Sequence, residues 1–480
     1  MRFFKSHEFR EKYFSVIDFM TGILYNYNRT VSNKEEKAMK FSLYAMLAVM
    51  GLTAQAIDTD VDKFFNHNVG AQSVKLARDE VYPRGRLFPF SFYSVGGGSE
   101  TKRGDLLPEE QRLADQRQII EGGVTLIGPQ YELNDDSLET ARKNGIKMIY
   151  TIRPVIDGVA IDRNWLHRLT KEKKKLDTAK LKESVASIVK AVADHPEIAW
   201  WDITPEELRY WIPNEAEYLK TVYEAIKESD PQKRPAFMYE PGHRTAGALA
   251  KLLPWQDLSA KGTYLNYSGK KDQRAWARLS TEQEVEAIKK ANRPEVVPLT
   301  LPEMFQQPKD DELKSVRDWV RHDVYCALVN GAKGVLVFSA SRRPNFAARD
   351  RYLQAYLEVC GELTGAKQLG QVFLFGKPMH DLECTVVEGD AEVVLKERGQ
   401  EVTYPAVSMA NYSWENRRYV FLVNSSTQNL KVVVSGLVYG SGVTVKGIFD
   451  QKIEFTAPEG DFEVDLKPLE VAGFEIYLKK

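Results

Sequence analysis

The sequence predicts an α/β protein: a (β/α)8 TIM barrel followed by a small all-β antiparallel sandwich. Two observations predict the barrel, which we place over residues 86–365: eight short apolar runs, and amphipathic helical stretches between them. After Gly365 the pattern changes to short β-rich runs separated by turn residues, which predicts the sandwich over residues 366–480. A chain of 480 residues is long enough for one large domain and one companion.

The eight apolar runs are the predicted barrel strands. One helical stretch, Leu181 to Ala193, places its apolar residues on a single stripe, as a helix covering a sheet requires. Eight strand and helix units in about 280 residues fit a closed barrel. An open doubly wound sheet is the alternative, but Gly96-Gly97-Gly98 lacks the third spaced glycine of its phosphate loop. The predicted strands are 87–92, 124–127, 146–150, 198–203, 236–239, 262–265, 296–299 and 334–338.

Four runs carry the prediction of the sandwich, because each is rich in β-branched or aromatic residues and is bounded by turn residues. They are 419–423, 430–434, 443–448 and 474–477.

The N-terminal region has the layout of a secretory signal. Lys37 and Lys40 precede an apolar run from Phe41 to Leu52, and Ala54-Gln55-Ala56 matches the small-x-small cleavage rule. We therefore expect residues 1–56 to be an upstream extension and a signal peptide, the latter at about residues 39–56, and residues 57–85 to be a lead-in segment. The expected location is secreted or periplasmic, without membrane insertion after cleavage.

Composition excludes several classes of function. The 66 Lys and Arg nearly balance the 67 Asp and Glu, so the chain has no overall positive charge to attract nucleic acid. Three cysteines form no C-x-x-C pair, and seven scattered histidines form no H-E-x-x-H motif, so we expect no metal site. Phosphate-binding and serine-nucleophile motifs are also absent from the sequence, and we expect no cofactor. The oligomeric state is left open.

Carboxylates follow several predicted strands at the end where barrel enzymes carry their reactive groups. Glu206 and Glu207 follow the fourth strand, and Glu303 follows the seventh. Strands three positions apart place their ends across the barrel mouth, so these carboxylates can face each other. Two such groups can divide the cleavage of a glycosidic bond, one donating a proton and the other attacking the sugar carbon. The sequence therefore predicts a carbohydrate substrate and a retaining two-carboxylate mechanism.

Other side chains near the strand ends are candidates for substrate binding. Polar groups can accept or donate hydrogen bonds to sugar hydroxyls, and aromatic faces can stack on sugar rings. For each of them a satisfied loop residue or simple packing under a loop is the alternative. The candidates are Glu132, Arg153, Trp211, Glu240, His243, Tyr264, Tyr267 and Trp276.

The fourth-strand segment, His195-Pro196-Glu197-Ile198-Ala199-Trp200-Trp201-Asp202-Ile203-Thr204-Pro205-Glu206, resembles that of the clan A glycoside hydrolases. The resemblance implies a (β/α)8 barrel, with Glu206 as acid/base and Glu303 as nucleophile, and a trailing sandwich is a frequent companion there. The sequence departs from the family where Pro205 replaces an asparagine and where Phe338 is followed by Ser339-Ala340-Ser341. Glu207, where many relatives have proline, is the alternative acid/base.

Three alternatives to these assignments stay open at the sequence level. Glu303 could serve only as a negative charge near a helix N-terminus. The whole barrel could bind carbohydrate without cleaving it. A barrel enzyme acting on a substrate other than sugar is the third alternative.

Overall fold

The computed structural model describes residues 80–98, 107–130, 134–397, 400–437, 443–449, 454–457 and 460–478. The upstream extension, the predicted signal peptide and the lead-in segment up to residue 79 lie outside the described residues. Within the described part of the chain, none of the helices is long and apolar enough to cross a membrane.

Eight strand positions form a closed parallel barrel, as the sequence predicts. The ring closes between the first two strands, where the amides of Thr125 and Gly128 donate to the carbonyls of Phe90 and Phe92, each at 3.2 Å. The fifth position is split at Met238, whose amide donates instead to the Gln256 side chain at 2.9 Å. The strands are β1 (Phe90–Phe92), β2 (Leu126–Ile127), β3 (Lys147–Ile152), a side hairpin of β4 (Val155–Ile156) and β5 (Val159–Ala160), β6 (Ile198–Ile203), β7 (Ala236–Phe237), β8 (Tyr239–Glu240), β9 (Leu258–Thr263), β10 (Val297–Pro302) and β11 (Val335–Val337).

The sixth barrel strand differs from the prediction. The sequence placed it at 262–265, whereas β9 spans Leu258–Thr263 and pairs in register with β10. The difference arises because β9 carries Ser259 and Lys261, polar residues that are nevertheless buried. Their partners come from the following helix. The Ser259 hydroxyl and the Lys261 backbone amide donate to the Glu284 carboxylate at 2.8 and 3.2 Å, and the Lys261 ammonium donates to the Ser280 hydroxyl at 2.9 Å.

Helices cover the outside of the barrel. The predicted amphipathic helix is confirmed: it buries Leu181, Val185 and Val189, and the Asp177 carboxylate caps it by accepting from the Lys180 amide at 3.1 Å. The helices are α1 (Glu109–Glu121), α2 (Asn134–Asn144), α3 (Arg163–Lys171), α4 (Thr178–Val192), α5 (Pro213–Ser229), α6 (Ala246–Leu249), α7 (Trp276–Ala291), α8 (Val316–Val329), α9 (Arg349–Thr364) and α10 (Leu369–Phe375).

A fully buried ion pair lies at the N-terminal end of the barrel strands. The Arg234 guanidinium donates to both oxygens of Asp230 at 2.9 Å, and the Trp201 indole donates to Asp230 at 2.9 Å. Arg234 also donates to the carbonyls of Ala193 and Ile198 at 2.9 and 3.3 Å. Every hydrogen-bonding need of the Asp230 carboxylate is therefore met by protein groups.

The C-terminal region is an antiparallel β domain with a six-stranded and a three-stranded sheet around a shared core. Phe462 and Phe474 bring the two sheets together, with ring centroids 5.3 Å apart. All four predicted runs are strands in the structure. The strands are β12 (Lys377–Pro378), β13 (Glu383–Glu388), β14 (Glu392–Glu397), β15 (Gln400–Pro405), β16 (Val407–Trp414), β17 (Arg417–Asn424), β18 (Leu430–Ser435), β19 (Val443–Gly447), β20 (Glu454–Ala457), β21 (Phe462–Leu466) and β22 (Val471–Leu478).

The barrel and the β domain pack directly on each other. Helix α10, which follows the predicted boundary at residue 365, brings Phe373 to 4.6 Å from the Phe421 ring. From α8 the His322 ring lies 2.9 Å from the Ser425 hydroxyl. The hairpin of β14 and β15 forms a separate two-stranded sheet.

Candidate active site

A cavity of about 940 Å³ opens at the C-terminal ends of the barrel strands. This is the end of a (β/α)8 barrel where reactive groups project. Its walls come from the segments after β6, β8, β9, β10 and β11, and from Lys396 of the β14–β15 hairpin. Six of the residues singled out from the sequence line it: Glu206, Glu207, His243, Tyr264, Tyr267 and Trp276.

Glu206 lies at the end of β6, surrounded by buried titratable groups. Burial raises the pKa values of Asp202, Tyr239 and Tyr264, and the negative charge of Glu206 raises all three further. Glu206, Tyr239 and Tyr264 all line the cavity, so the Glu206 charge acts on groups of the same site.

Asp202, the next-to-last residue of β6, was not singled out from the sequence. It is fully buried, and it accepts a hydrogen bond from the Thr151 hydroxyl at 3.0 Å. Its Oδ1 atom has no hydrogen-bond partner among the described residues. Burial, helped by the charge of Glu206, raises the pKa of Asp202 well above its usual value, which favours the neutral form. The available signal was an acid inside an apolar strand run.

Glu207, the alternative acid/base, has different surroundings. Its carboxylate forms an ion pair with Arg163, with 2.6 Å between Oε2 and Nη1, and both side chains are partly exposed. Its backbone is in the left-handed region, with φ of 57°. The charge of Glu207 also raises the pKa of Tyr239, and there its effect exceeds that of Glu206. The charge of Glu206 acts on Asp202 and Tyr264 as well, whereas Glu207 is paired with Arg163 of α3, so the electrostatics favour Glu206 for chemistry.

Glu303, at the end of β10, is 5% exposed and is not among the described residues that line the cavity. Its carboxylate accepts hydrogen bonds from the backbone amides of Asn266 and of Tyr267, the latter at 3.0 Å. Burial raises the pKa of Glu303 to about 7, against the lowering effect of these two amides. The loop that binds this carboxylate also supplies Tyr264 and Tyr267 to the cavity wall.

A buried polar network holds that loop from behind. The Arg274 guanidinium contacts the Asp323 carboxylate and donates to the Asn266 side chain at 2.7 Å. The Asn266 amide in turn donates to the Tyr352 hydroxyl at 3.1 Å. The nearby Arg274 charge also lowers the pKa of Glu303 and so favours its ionised form.

Aromatic rings form one wall of the cavity. The Tyr239 and Tyr264 rings stack with centroids 6.0 Å apart, and Phe305 and Phe338 pack beside them at 5.8 Å from each other. A Cβ atom on Gly262 would lie 2.8 Å from the Tyr239 hydroxyl oxygen, so this close approach requires glycine. Such a wall can pack against the apolar faces of a sugar ring.

Four predicted binding residues are not among the described residues lining this cavity. Glu240 is fully buried, paired with Arg244 and bonded by the Gln256 amide at 2.9 Å, and burial raises its pKa to about 7. Its carboxylate is thus held within the protein framework. Arg153 is exposed near Asp202, and Trp211 is 60% exposed. Glu132 lies outside the described residues.

Trp276, the first residue of α7, lines the cavity beside two lysines that were not predicted. The Lys270 ammonium lies 4.6 Å from the centre of the Trp276 ring and donates to the Lys396 carbonyl at 3.1 Å. Both lysines line the cavity. No sequence signal links them, because Lys396 reaches the barrel only through the fold of the β domain.

Metal-binding groups are dispersed across the part of the chain that the structure describes. In those residues no three His, Cys, Asp or Glu side chains come close enough together to hold a metal ion.

No family model matches the sequence, and no curated protein is similar to it. Solved structures share its fold. A variant of AmyP in complex with maltotriose is 9% identical and aligns over 82% of this chain and 98% of its own, with a TM-score of 0.50. A variant of Abp, a GH27 β-L-arabinopyranosidase from Geobacillus stearothermophilus in complex with arabinose, gives the same four values. The chain has the fold of barrel glycoside hydrolases. The predicted fold class is confirmed, and at this identity the likeness concerns the fold alone.

Proposed function

We propose that the protein is a glycoside hydrolase and that the cavity around Glu206 is its active site. The observation that carries the proposal is a half-buried carboxylate at the end of the fourth barrel strand, facing an aromatic wall in a cavity of about 940 Å³. A carboxylic acid in such a place can protonate a glycosidic oxygen while the sugar ring packs on the aromatic side chains.

In the proposed mechanism Glu206 donates its proton to the departing oxygen as the bond to the anomeric carbon breaks. The Glu303 carboxylate attacks that carbon and forms a glycosyl ester. Glu206 then takes a proton from water, whose oxygen attacks the anomeric carbon and releases Glu303, so the configuration is retained. Because the amides of Asn266 and Tyr267 hold the Glu303 carboxylate in its buried place, the scheme requires this loop to shift when substrate binds.

The test compares Glu206→Gln with Glu207→Gln on a panel of aryl glycosides. We expect Glu206→Gln to lower kcat/KM by about 10²- to 10⁴-fold, the usual range for removing a general acid. Glu207→Gln is the matched control. Its kcat/KM should fall by less than about tenfold, because the Glu207 carboxylate is paired with Arg163. Circular dichroism and thermal unfolding check that both variants fold. A larger loss in Glu207→Gln would make Glu207 the acid/base. Unchanged turnover in both variants would mean that neither glutamate is the acid/base.

Stereochemistry tests the role of Glu303. Proton NMR of the first-formed sugar should show the anomer of the substrate if the reaction proceeds through a glycosyl ester. The opposite anomer would contradict a nucleophilic Glu303 while leaving a hydrolase in place.

One observation favours a second candidate, a carbohydrate-binding protein without hydrolytic activity. The Glu303 carboxylate is 5% exposed and bound by two backbone amides, as a purely structural carboxylate would be. If wild-type protein binds an oligosaccharide in calorimetry but releases no sugar over prolonged incubation, this candidate replaces the hydrolase.

Export is the remaining part of the proposal. It is supported by the basic residues, apolar run and Ala54-Gln55-Ala56 site within residues 37–56. Mass spectrometry of the protein recovered from an exporting host should give an N-terminus near Ile57. A retained N-terminal segment would contradict the signal peptide.

A further inference from the structure

We propose that the β domain takes part in the hydrolase site: Ser425 and His322 are positioning residues that hold the Arg274 guanidinium against the loop that binds Glu303. This inference rests on the proposed function, in which the Glu303 carboxylate is the nucleophile, and it names residues that prepare that group. Hydrogen bonds and one ion pair connect Ser425 to Glu303. We call this series of contacts the interdomain network; its residues, from the β domain inward, are Ser425, His322, Asp323, Arg274, Asn266 and Glu303.

His322 of α8 has a single tautomer that satisfies both of its neighbours. Burial lowers the pKa of this fully buried ring, so the ring is neutral and carries one N–H. Its Nδ1 atom lies 2.9 Å from the Asp323 carboxylate, which can only accept because it is ion-paired with Arg274. The proton is therefore on Nδ1, and Nε2 accepts from the Ser425 hydroxyl at 2.9 Å. The β domain thus fixes the tautomer in which His322 donates to Asp323.

Ser425 is itself held within the β domain. It follows β17, and its backbone amide donates to the Ala406 carbonyl at 2.8 Å. Ser425, His322 and Asp323 are 6%, 0% and 8% exposed, and none of them is among the described residues that line the cavity. Because they lie buried where the two domains pack, they can position other groups but do not contact a substrate.

Asp323 determines where the Arg274 guanidinium lies. One carboxylate oxygen accepts from His322, and the other pairs with Nη1 of Arg274. Arg274 is 1% exposed, and its guanidinium lies 4.6 Å from the centre of the Trp319 ring. A buried cation separated from its carboxylate is costly, so the guanidinium stays with Asp323. Since Asp323 and Trp319 belong to α8 and not to the loop after β9, we expect Arg274 to keep its place when that loop shifts.

Asn266 connects Arg274 to the Glu303 carboxylate. Its side-chain oxygen accepts from Arg274 at 2.7 Å, and its side-chain nitrogen donates to the Tyr352 hydroxyl at 3.1 Å, so the side chain is fixed at both ends. Its backbone amide donates to one oxygen of Glu303, and the amide of Tyr267 donates to the other at 3.0 Å. The resting place of the carboxylate is therefore set by a residue that the interdomain network holds.

Several groups around Glu303 act on its charge. Burial raises its pKa, whereas the two backbone amides and the Arg274 charge lower it, and the Asp323 charge raises it. The Tyr352 and Tyr356 hydroxyls of α9 are neutral, because burial raises their own pKa values, and Tyr356 donates to the Glu303 carbonyl at 2.8 Å. Arg274 is the cation in this set. Displacing it should therefore favour the protonated form of Glu303, which cannot attack.

The first test compares two adjacent buried serines of the β domain. Ser425→Ala removes the donor to His322. Ser426→Ala is the matched control, because Ser426 is also 6% exposed and its hydroxyl donates to the Asn424 side chain at 2.8 Å within the β domain. On a glycoside that the wild type cleaves, we expect Ser425→Ala to lower kcat by about three- to tenfold and to change KM by less than about twofold. Ser426→Ala should leave both constants at the wild-type values.

The second test removes the charge at the barrel end of the interdomain network. Arg274→Gln should raise the pH below which kcat/KM falls by about one unit, because the charge that favours ionised Glu303 is lost. Arg274→Lys keeps the charge and should return this pH most of the way to the wild-type value. Loss of packing alone would lower activity at every pH without moving the profile.

A double-mutant cycle tests the connection without requiring activity. Urea unfolding is measured for Ser425→Ala, for Glu303→Gln and for the variant that combines them. We expect the two effects on the free energy of unfolding to be non-additive, because the interdomain network joins these residues. The same cycle with Ser426→Ala should be additive.

Three results would each overturn the inference: equal kcat in Ser425→Ala and Ser426→Ala, an unchanged pH profile in Arg274→Gln, or additive effects in the cycle of Ser425 with Glu303. Hydrolysis by the wild type alongside any of them would leave the proposed function in place. A wild type that cleaves no glycoside while Ser425 and Glu303 remain coupled would contradict the hydrolase and keep the interdomain network.

Discussion

The two ends of the barrel differ in how they accommodate buried carboxylates. At the N-terminal end of the strands, burial tends to raise the pKa of Asp230, but hydrogen bonds and charge from Arg234 outweigh it and lower the value. At the C-terminal end, Asp202 accepts from Thr151, leaves one oxygen without a partner among the described residues, and has a raised pKa. One end of the barrel therefore stabilises a buried charge, whereas the other end buries an acid whose pKa is raised.

The largest expected effect comes from breaking the paired end. Asp230→Asn removes the charge that compensates the buried Arg234 guanidinium, so we expect the free energy of unfolding to fall by about 3–5 kcal/mol. Urea unfolding at neutral pH measures it. Asp157→Asn is the control, because its ion pair with Lys180 is exposed to solvent and its loss should change the free energy of unfolding little. Equal losses in the two variants would show that burial does not distinguish these pairs.

The second prediction concerns how activity depends on pH through Glu303, at the C-terminal end of the barrel strands. Burial raises the pKa of Glu303 to about 7, and a nucleophile must be ionised, so activity should be present above this value and lost as the pH falls through it. A decline of tenfold per unit gives a loss of about 100-fold in kcat/KM two units lower. The measurement is a pH profile with folding followed by circular dichroism. If activity is lost only near pH 4.5, the usual pKa of a glutamate, the ionisation of Glu303 does not control the rate.

The smallest expected effect is a gain in stability, opposite in sign to the loss expected for Asp230→Asn. Because the pKa of Asp202 is raised in the folded protein, its ionisation costs stability at pH values above its unfolded value of 3.8. Asp202→Asn keeps an acceptor for Thr151 and removes this cost, so we expect the free energy of unfolding to rise at neutral pH.

This gain has a defined dependence on pH. It should grow as the pH rises from 3.8 toward the raised value and should disappear below 3.8, where Asp202 is protonated in both states. Urea unfolding of wild type and Asp202→Asn at both ends of this range measures it. A loss of stability at neutral pH would mean that the buried Asp202 carboxylate is better paired than its surroundings indicate.

The barrel could be predicted because most of its strands are apolar runs bounded by turn residues. The prediction of β9 was displaced because Ser259 and Lys261 lower its apolar character, and their partner Glu284 comes from a helix later in the chain. Strand β13 was missed for a different reason: it is largely exposed and carries charged residues, so it lacks an apolar run. Periodicity reports burial of apolar groups, and it cannot report polar groups that are buried with distant partners.

The candidate site was predicted in part. The rule that reactive groups follow barrel strands led to Glu206, and the structure places it in the cavity. The same rule led to Glu240, whose carboxylate is instead bound by Arg244 and Gln256. Strand-end position gives the correct end of the barrel, but it does not specify which way a side chain turns.

By itself, the sequence determined the fold class and the strand ends at which acids occur, because the spacing of apolar residues along the chain is a local property. Only the tertiary structure decided which acids face the cavity, how deeply Glu303 is buried, and that the β14–β15 hairpin of the β domain reaches the barrel cavity. The physical reason is that burial and electrostatic environment are set by neighbours from distant parts of the chain, and the fold alone brings those neighbours together.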